Sequence, residues 1–469
     1  MEISYDLVIV GGGPAGYVGA IRAAQLGMKV GLVEEKKVGG TCLHEGCIPT
    51  KVLLEVAGFL NRAARAEEFG VRVEPPVRDS DGVLRHRDSI VNRLYHGVQG
   101  LLKKNGIEIF NGKGILTDPG SVSVRAGDES VSGSGTILKS RYILLATGSR
   151  PKPWPGLPFG EGPVFDSTAA LSLDPQGKKV GIVGGGVVGV EFADIFRSFG
   201  GDVTLLEREN RLIPSEDPEI ADLLRKEYER RGIEVLTGCG IVSAQRNSER
   251  VRIRVERAGV EETREFDAVL VSIGRVPNLE GLGLEAVPLS RTRAGFLKVD
   301  EVQWTGKAGI HAAGDLTGGP MLAHFASHQA IVAVEHIAGK TPLPVDPLRV
   351  PRVIYCHPEI ASVGLTLREA AERGIEAKEG RFPLLGNGRS LIHGDRRGIV
   401  KVVADPKNGQ ILGFQGIGPG VSEMIALLAY GMGDHKGIFG LLDTVFPHPT
   451  VSEAIWEAGA DVFDRAMHR

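Results

Sequence analysis

The sequence predicts an α/β fold in which one strand–turn–helix–strand unit occurs twice and an α+β segment closes the chain. Three observations carry this. The β-rich run Leu7-Val8-Ile9-Val10 leads into Gly11-Gly12-Gly13-Pro14-Ala15-Gly16 and a helix-like stretch through Ala20, Ala23 and Ala24. The same order returns at Val180-Gly181-Ile182-Val183, followed by Gly184-Gly185-Gly186-Val187-Val188-Gly189. Near the C-terminus, two apolar runs (399–404 and 411–414) flank Pro406-Lys407-Asn408-Gly409. An asparagine–glycine step between such runs signals an antiparallel hairpin.

Each part of the repeated unit has a physical reason. Gly11 permits the tight turn, Gly13 lets the backbone approach a pyrophosphate, and Gly16 lets the helix pack close to the strand. The helix N-terminus then offers free N–H groups and a positive dipole end to phosphates. The second strand, Val30-Gly31-Leu32-Val33, ends in Glu34, an acceptor for ribose hydroxyls. In the second copy Gly184, Gly186 and Gly189 take the glycine roles, and Val203-Thr204-Leu205-Leu206 ends in Glu207. The acid follows the first glycine by 23 residues in both copies. One glycine fingerprint is weak; two in the same context and spacing are strong. The fold class is therefore α/β with two nucleotide-binding Rossmann-like domains and a C-terminal α+β domain. Two such sites fit a flavin and a nicotinamide, FAD and NAD, between which hydride can pass. Glu207 favours NAD over NADP because a carboxylate repels a 2′-phosphate, although Arg208 and Arg211 lie close by in sequence.

Composition bounds the function. At roughly 150 residues per domain, 469 residues suggest about three domains. The 65 glycines are about twice the usual share of about 7%, which fits sharp turns and close backbone approach to ligands. With 55 basic against 58 acidic residues, net −3, there is no basic excess for a nucleic-acid partner. No apolar run reaches the ~18 residues that suggest a membrane span. The N-terminus enters a strand at once, without a signal peptide, and four cysteines do not make a disulfide-stapled secreted protein. A cytoplasmic location is expected.

Cys42 and Cys47 lie in Gly39-Gly40-Thr41-Cys42-Leu43-His44-Glu45-Gly46-Cys47-Ile48-Pro49-Thr50-Lys51. No second close pair exists for a metal site, and Cys239 and Cys356 stand alone. A plant-type iron–sulfur spacing would need a cysteine at Thr50. A reversible disulfide is the favoured reading, beside two buried structural thiols. Lys51 follows Cys47 by one helical turn, where a cation stabilises thiolate. At the other end of the chain, His448 and Glu453 in Phe446-Pro447-His448-Pro449-Thr450-Val451-Ser452-Glu453 suit a proton relay. A thiol must lose its proton to attack, an imidazole can take it near neutral pH, and a carboxylate can hold the imidazole's tautomer.

Residues 39–51 resemble the redox-active disulfide of the flavoprotein disulfide reductases. Further matches follow in the family's order: Ala146-Thr147-Gly148-Ser149, residues 272–278 around Gly274, Ala313-Gly314-Asp315, and Met321-Leu322-Ala323-His324. The resemblance implies roles. Cys47 would lie against the flavin as thiolate, and Cys42 would exchange disulfides with substrate. Lys51 would pair with Glu191, and Asp315 would bind the ribityl chain. Residues 321–324 would run along the isoalloxazine. Thr41, Thr147, Gly148 and Gly274 would belong to the cofactor sites. His448 and Glu453 would serve the disulfide of the other subunit, so a homodimer is implied. The pattern at 353–366 and around His448 resembles the members that oxidise a protein-bound dihydrolipoyl group with NAD+. The lipoyl-bearing acyltransferase of a 2-oxo acid dehydrogenase complex would then be the partner. An NAD(P)H-linked reductase of another small disulfide, glutathione reductase-like, and a flavin-loaded assembly subunit without turnover remain as alternatives.

The matches divide the chain into an FAD domain in two parts (1–148 and 277–345), an NAD domain (149–276) and a dimer interface domain (346–469). Residues 62–87 read as an irregular charged segment, residues 88–104 as a helix, and residues 150–155 as a proline-rich linker. The sequence departs from the family at His44-Glu45, where Asn and then an apolar or basic residue are common, and at Thr50, Phe325 and Cys356.

Overall fold

The computed structural model describes residues 2–125, 135–160 and 162–468. The chain forms two compact units, one of Met1–Thr50, Asp81–Lys152 and Gly274–Pro347, the other of Lys51–Ser80, Pro153–Ile273 and Leu348–Arg469.

In the first unit Glu2–Val10 is a central strand, parallel to Val30–Glu34 on one side and to Thr136–Leu145 on the other. Ile310–Ala312 also pairs in parallel with Thr136–Leu145, Glu108–Asn111 extends the sheet beyond Val30–Glu34, and Ser121–Arg125 and Lys113–Asp118 continue it antiparallel. Leu7, Val8 and Ile9 are fully buried. That explains the unbroken apolar run, because a parallel strand is covered on both faces. Helices Pro14–Gln25 and Ala323–Ile337 supply one cover, packing Ala20, Ala23, Ala330 and Ala333 against the sheet. Small residues let helix and strand come close. The helix expected at 88–104 spans Ser80–Lys104. It starts eight residues early because Ser80 and Asp81 suit its first turn, and the half-buried Gly82 is tolerated inside it.

The proline-rich segment is only partly a linker. Ser149–Pro151 pairs antiparallel with Arg275–Pro277, so the chain leaves the first unit and re-enters it side by side.

In the second unit Lys179–Val183 is flanked in parallel by Asp202–Leu206 and Ala268–Val271, with Glu234–Leu236 and Val164–Phe165 at the edges. A three-stranded antiparallel sheet (Cys239–Arg246, Val251–Arg257, Val260–Phe266) packs Val251, Ile253 and Val255 into the same core. Residues from 348 onward form the second unit's other sheet, antiparallel throughout, in the order Arg352–Ile354, Ile360–Gly364, Ile411–Ile417, Ile399–Ala404, Lys378–Pro383. The expected hairpin is there, with Ala404 opposite Ile411. Helices Val421–Gly431, Gly437–Asp443 and Glu453–Asp461 join it in one core with Phe414, Leu428 and Ile455.

Candidate active site

The first glycine turn follows strand Glu2–Val10. Gly11 has φ +103°, a backbone that L side chains rarely adopt. A Cβ on Gly16 would lie 1.8 Å from the Gly11 carbonyl oxygen, so only glycine lets the helix start there. Gly13 is different. It is the N-cap of Pro14–Gln25 in ordinary extended backbone, with no side chain capping the helix. A Cβ there would meet nothing nearer than Gly40 Cα at 3.9 Å. Its smallness therefore leaves open room beside uncapped helix amides, which fits a pyrophosphate. Glu34 also closes the turn. Its two oxygens accept from the Gly12 amide at 2.6 Å and the Lys36 amide at 2.7 Å. A carboxylate has about four acceptor positions, so it closes the turn and still has capacity for hydroxyls.

The cysteines sit on two helices, Gly40–His44 and Cys47–Ala63. The first is docked on the glycine turn: the Gly39 amide donates to Gly12 O at 2.8 Å. Gly39 and Gly40 have φ +105° and +58°, and a Cβ on Gly40 would lie 2.6 Å from Gly13 Cα. Thr41 and Cys42 follow in this first helix, and Cys47 opens the second. Burial and then the Cys42 sulfur push the phenol of Tyr17, on the helix after the turn, up. Sequence reasoning passed over Tyr17; its signal was its place on the first turn of that helix.

The remaining first-unit candidates gather at the ends of strands and helices. Thr147 Oγ1 donates to Asn278 O at 2.7 Å, and Asn278 Nδ2 donates to Thr147 O at 2.9 Å. Gly148 and Gly274 both need positive φ, +69° and +116°. Ser149 Oγ donates to Asp315 Oδ2 at 2.5 Å, and Arg275 Nε donates to Ser149 Oγ at 2.6 Å. Asp315 is thus held in one orientation. Met321 and His324 are exposed around the N-terminus of Ala323–Ile337, where Leu322 provides no side-chain cap. That leaves amides available to a ligand.

The second glycine turn repeats the first. Gly184 has φ +105°, a Cβ on Gly189 would lie 1.8 Å from Gly184 O, and Gly186 has open space in front of it. Glu207 accepts from the Gly185 amide at 2.6 Å and the Glu209 amide at 2.7 Å. Neither Arg208 nor Arg211 has turned to a site of its own: Arg208 pairs with Glu209, and Arg211 donates to Pro214 O.

Within the second unit Lys51 Nζ lies 2.9 Å from both oxygens of Glu191, whose side chain is buried. Two contacts absent from the sequence reading complete this group. The Tyr355 amide donates to Glu191 Oε1 at 3.0 Å, and Lys51 Nζ stands 4.9 Å from the centre of the Tyr355 ring. One turn along the same helix, fully buried Asp194 meets Arg231 at 2.5 Å and accepts from His357 N and Nδ1 at 2.7 and 2.8 Å. Burial pushes the Asp194 carboxyl up, but Arg231 and His357 outweigh it and hold it at about 2.

His448 and Glu453 are also in the second unit. His448 Nδ1 is 3.0 Å from Glu453 Oε1, and Glu453 Oε2 accepts from the Thr450 amide at 2.8 Å. Burial raises the Glu453 carboxyl, but the Thr450 amide and His448 together hold it below the ordinary carboxylate value. An ionised Glu453 therefore keeps the His448 proton on Nδ1 and leaves Nε2 as the base. The two cysteines and this pair belong to different compact units.

Residues 5–330 match the model of the pyridine nucleotide-disulphide oxidoreductase family, and residues 350–459 match its dimerisation domain. The chain belongs to this family. It is 41% identical to a dihydrolipoyl dehydrogenase of Bacillus subtilis over the full length of both chains, and 40% identical to one of Thermus scotoductus over 99% of each. Among solved structures it resembles LpdA of Mycobacterium tuberculosis, with TM-score 0.90, 28% identity and coverage of 97% of this chain and 98% of that one. It also resembles the HOCl-induced flavoprotein disulfide reductase RclA of Escherichia coli, with TM-score 0.84, 26% identity and coverage of 97% and 99%. The chain is an FAD-dependent, NAD-linked disulfide oxidoreductase with a mixed α/β architecture that contains parallel sheets. Its C-terminal domain supports a homodimer. Among the described residues, no helix is long and apolar enough to cross a membrane.

Proposed function

We propose that the protein is a dihydrolipoyl dehydrogenase, oxidising the dihydrolipoyl group on the acyltransferase of a cytoplasmic 2-oxo acid dehydrogenase complex with NAD+. The observation that carries this is the docking of the cysteine helix on the first glycine turn, Gly39 N–H to Gly12 O at 2.8 Å, with Gly40 against Gly13. It fixes a dithiol pair to the backbone of a nucleotide site.

In this reading a lipoyl thiolate attacks the Cys42 sulfur of the Cys42–Cys47 disulfide and releases Cys47 as thiolate, and the second lipoyl thiol then displaces Cys42. A mixed disulfide forms and breaks, leaving lipoyl disulfide on the substrate and two reduced cysteines on the protein. His448 Nε2, oriented by Glu453, takes the thiol proton for the pair of the other subunit. Gly11, Gly13, Gly16, Glu34, Thr41, Thr147, Gly148, Asp315 and residues 321–324 hold FAD. Gly184, Gly186, Gly189 and Glu207 hold NAD. Lys51 is kept in one orientation by Glu191, which favours thiolate at Cys47 by charge. When bound, FAD accepts the electron pair of the dithiol and delivers hydride to NAD+.

The test is anaerobic turnover of purified holoenzyme with dihydrolipoamide and NAD+. Fast NADH formation is expected, and Cys42→Ser should keep FAD while losing at least ~1,000-fold in rate, as for removal of a nucleophile that works as part of a unit. Turnover with another dithiol but not with dihydrolipoamide would assign the glutathione reductase-like reading. No turnover with any dithiol would assign the assembly-subunit reading.

A further inference from the structure

His44 and Glu45 stand between the cysteines, and both side chains reach back to the same short stretch, residues 36–38. His44 Nε2 is 2.9 Å from Val38 O. A carbonyl can only accept, so Nε2 carries the proton. The His44 ring stands edge-on to Tyr95, centroids 5.2 Å apart at 72°, and the Tyr95 hydroxyl accepts from Gln99 Nε2 at 3.0 Å. Glu45 Oε1 lies 2.9 Å from Lys36 Nζ, while the Lys36 amide donates to Glu34. The hydrogen bond from Lys36 to Glu45 outweighs desolvation and raises the Lys36 ammonium. On the inner side the Glu45 amide donates to Thr41 O at 2.8 Å, and a Cβ on Gly46 would lie 3.1 Å from the same oxygen. The turn between the sulfurs is thus tied on one side to helix Ser80–Lys104 and on the other to the loop that follows the nucleotide acid.

We propose that His44 and Glu45 are positioning residues that clamp the Cys42–Cys47 turn onto residues 36–38 and thereby favour the disulfide over the dithiol. The proposal rests on reading Cys42 and Cys47 as the redox pair. Reduction breaks the S–S bond, adds two electrons and two protons, and yields two thiols free to move apart. A turn already held in the closing geometry loses less freedom when the bond re-forms. Loosening the clamp therefore makes the pair easier to reduce.

The experiment equilibrates full-length FAD-loaded enzyme with graded ratios of reduced to oxidised dithiothreitol. The reduced form supplies both electrons and both protons and becomes its cyclic disulfide. Thiols at Cys42 and Cys47 are trapped by alkylation and counted by mass. His44→Ala should shift the exchange equilibrium about tenfold toward the dithiol, about 30 mV in potential. Tyr95→Leu should shift it the same way by less. Lys36→Met and Glu45→Gln should each give a small shift, and the double variant should match either single one. Midpoints unchanged in both His44→Ala and Tyr95→Leu, or moved toward the disulfide, overturn the proposal. If His44→Ala does not retain FAD, Tyr95→Leu and Lys36→Met decide it. A wild-type pair that never interconverts between disulfide and dithiol overturns the redox reading itself and the clamp with it. A wild-type pair that titrates alongside variants that titrate identically overturns the clamp alone.

Discussion

In the first glycine turn the acid Glu34 holds the Gly12 amide at 2.6 Å, and the loop after it returns to the Gly12 carbonyl through Gly39 N at 2.8 Å. In the second, Glu207 holds the Gly185 amide at 2.6 Å, and the loop after it returns to the Gly185 carbonyl through Ile213 N, also at 2.8 Å. The frames match down to the hydrogen bonds that close them. The loops that return do not. The first brings two glycines in left-handed backbone and then Cys42. The second brings Leu212 and Ile213, both buried, and a Cβ on Gly185 would sit 2.7 Å from a Leu212 methyl. One loop presents a cysteine and the other is a hydrophobic plug. The rigid frame fixes a nucleotide, and the loop decides what else happens there.

The largest expected effect comes from the residue the frames share most strictly. Gly16→Ala and Gly189→Ala each drive a methyl into a backbone oxygen, and overpacking of this kind costs about 1–3 kcal/mol or more. Gly16→Ala should lose at least ~10-fold in flavin retention. Gly189→Ala should keep its flavin and lose NAD+-dependent turnover by a similar factor. Flavin absorbance per chain and NADH formation distinguish them, and a fully flavinated Gly16→Ala would break the comparison.

The acids come next. Glu34→Gln and Glu207→Gln each weaken a charged hydrogen bond worth about 1.5–3 kcal/mol, so the matching nucleotide should bind about 10–150-fold more weakly. Glu207→Gln should also narrow the preference for NAD+ over NADP+, read as the ratio of kcat/KM values. An unchanged ratio would remove Glu207 from the discrimination.

A further contrast separates the two units by pH. Burial, helped by His336 at 3.2 Å, pushes His311 in the first unit down to about 4. The unfolded chain then binds more protons below its ordinary value of about 6.5, so this contribution, up to about 3 kcal/mol, is present above pH ~6.5 and lost as pH falls toward 4. His357 in the second unit has the opposite sign: burial lowers it, but Asp194 outweighs this and raises it. Its contribution is present below pH ~6.5 and lost as pH rises through the raised value. Melting temperatures from pH 4 to 9 should show His311→Leu flattening the acid limb and His357→Gln the alkaline one. Identical slopes in wild type and variants would refute both assignments.

The glycine spacing, the cysteine segment and the 399–417 hairpin were legible because each is a local pattern that the backbone itself demands. The start of Ser80–Lys104 was not, since Gly82 and the polar residues before Asp88 mask a helix whose exposed face needs no apolar period. The partners of Glu191 and Asp194 were also out of reach. Tyr355 lies 164 residues from Glu191, and His357 lies 163 from Asp194. What chooses them is tertiary proximity, for which a sequence window has no signal. The turn-closing hydrogen bonds of Glu34 and Glu207 were hidden, because in sequence each is only a lone acid after a strand.

The short ladder of Ser149–Pro151 against Arg275–Pro277 has a topological result. The 153–273 segment enters and leaves at two adjacent points, like an insertion stitched into a seam. Unravelling inside it need not separate its ends, because a pinned gateway absorbs the added slack as a longer loop, and loop length is a weak penalty. Backbone amides of the first unit should therefore outlast those of 153–273 in hydrogen exchange, and the chain can tolerate length changes in that segment without reopening the sheet around Glu2–Val10.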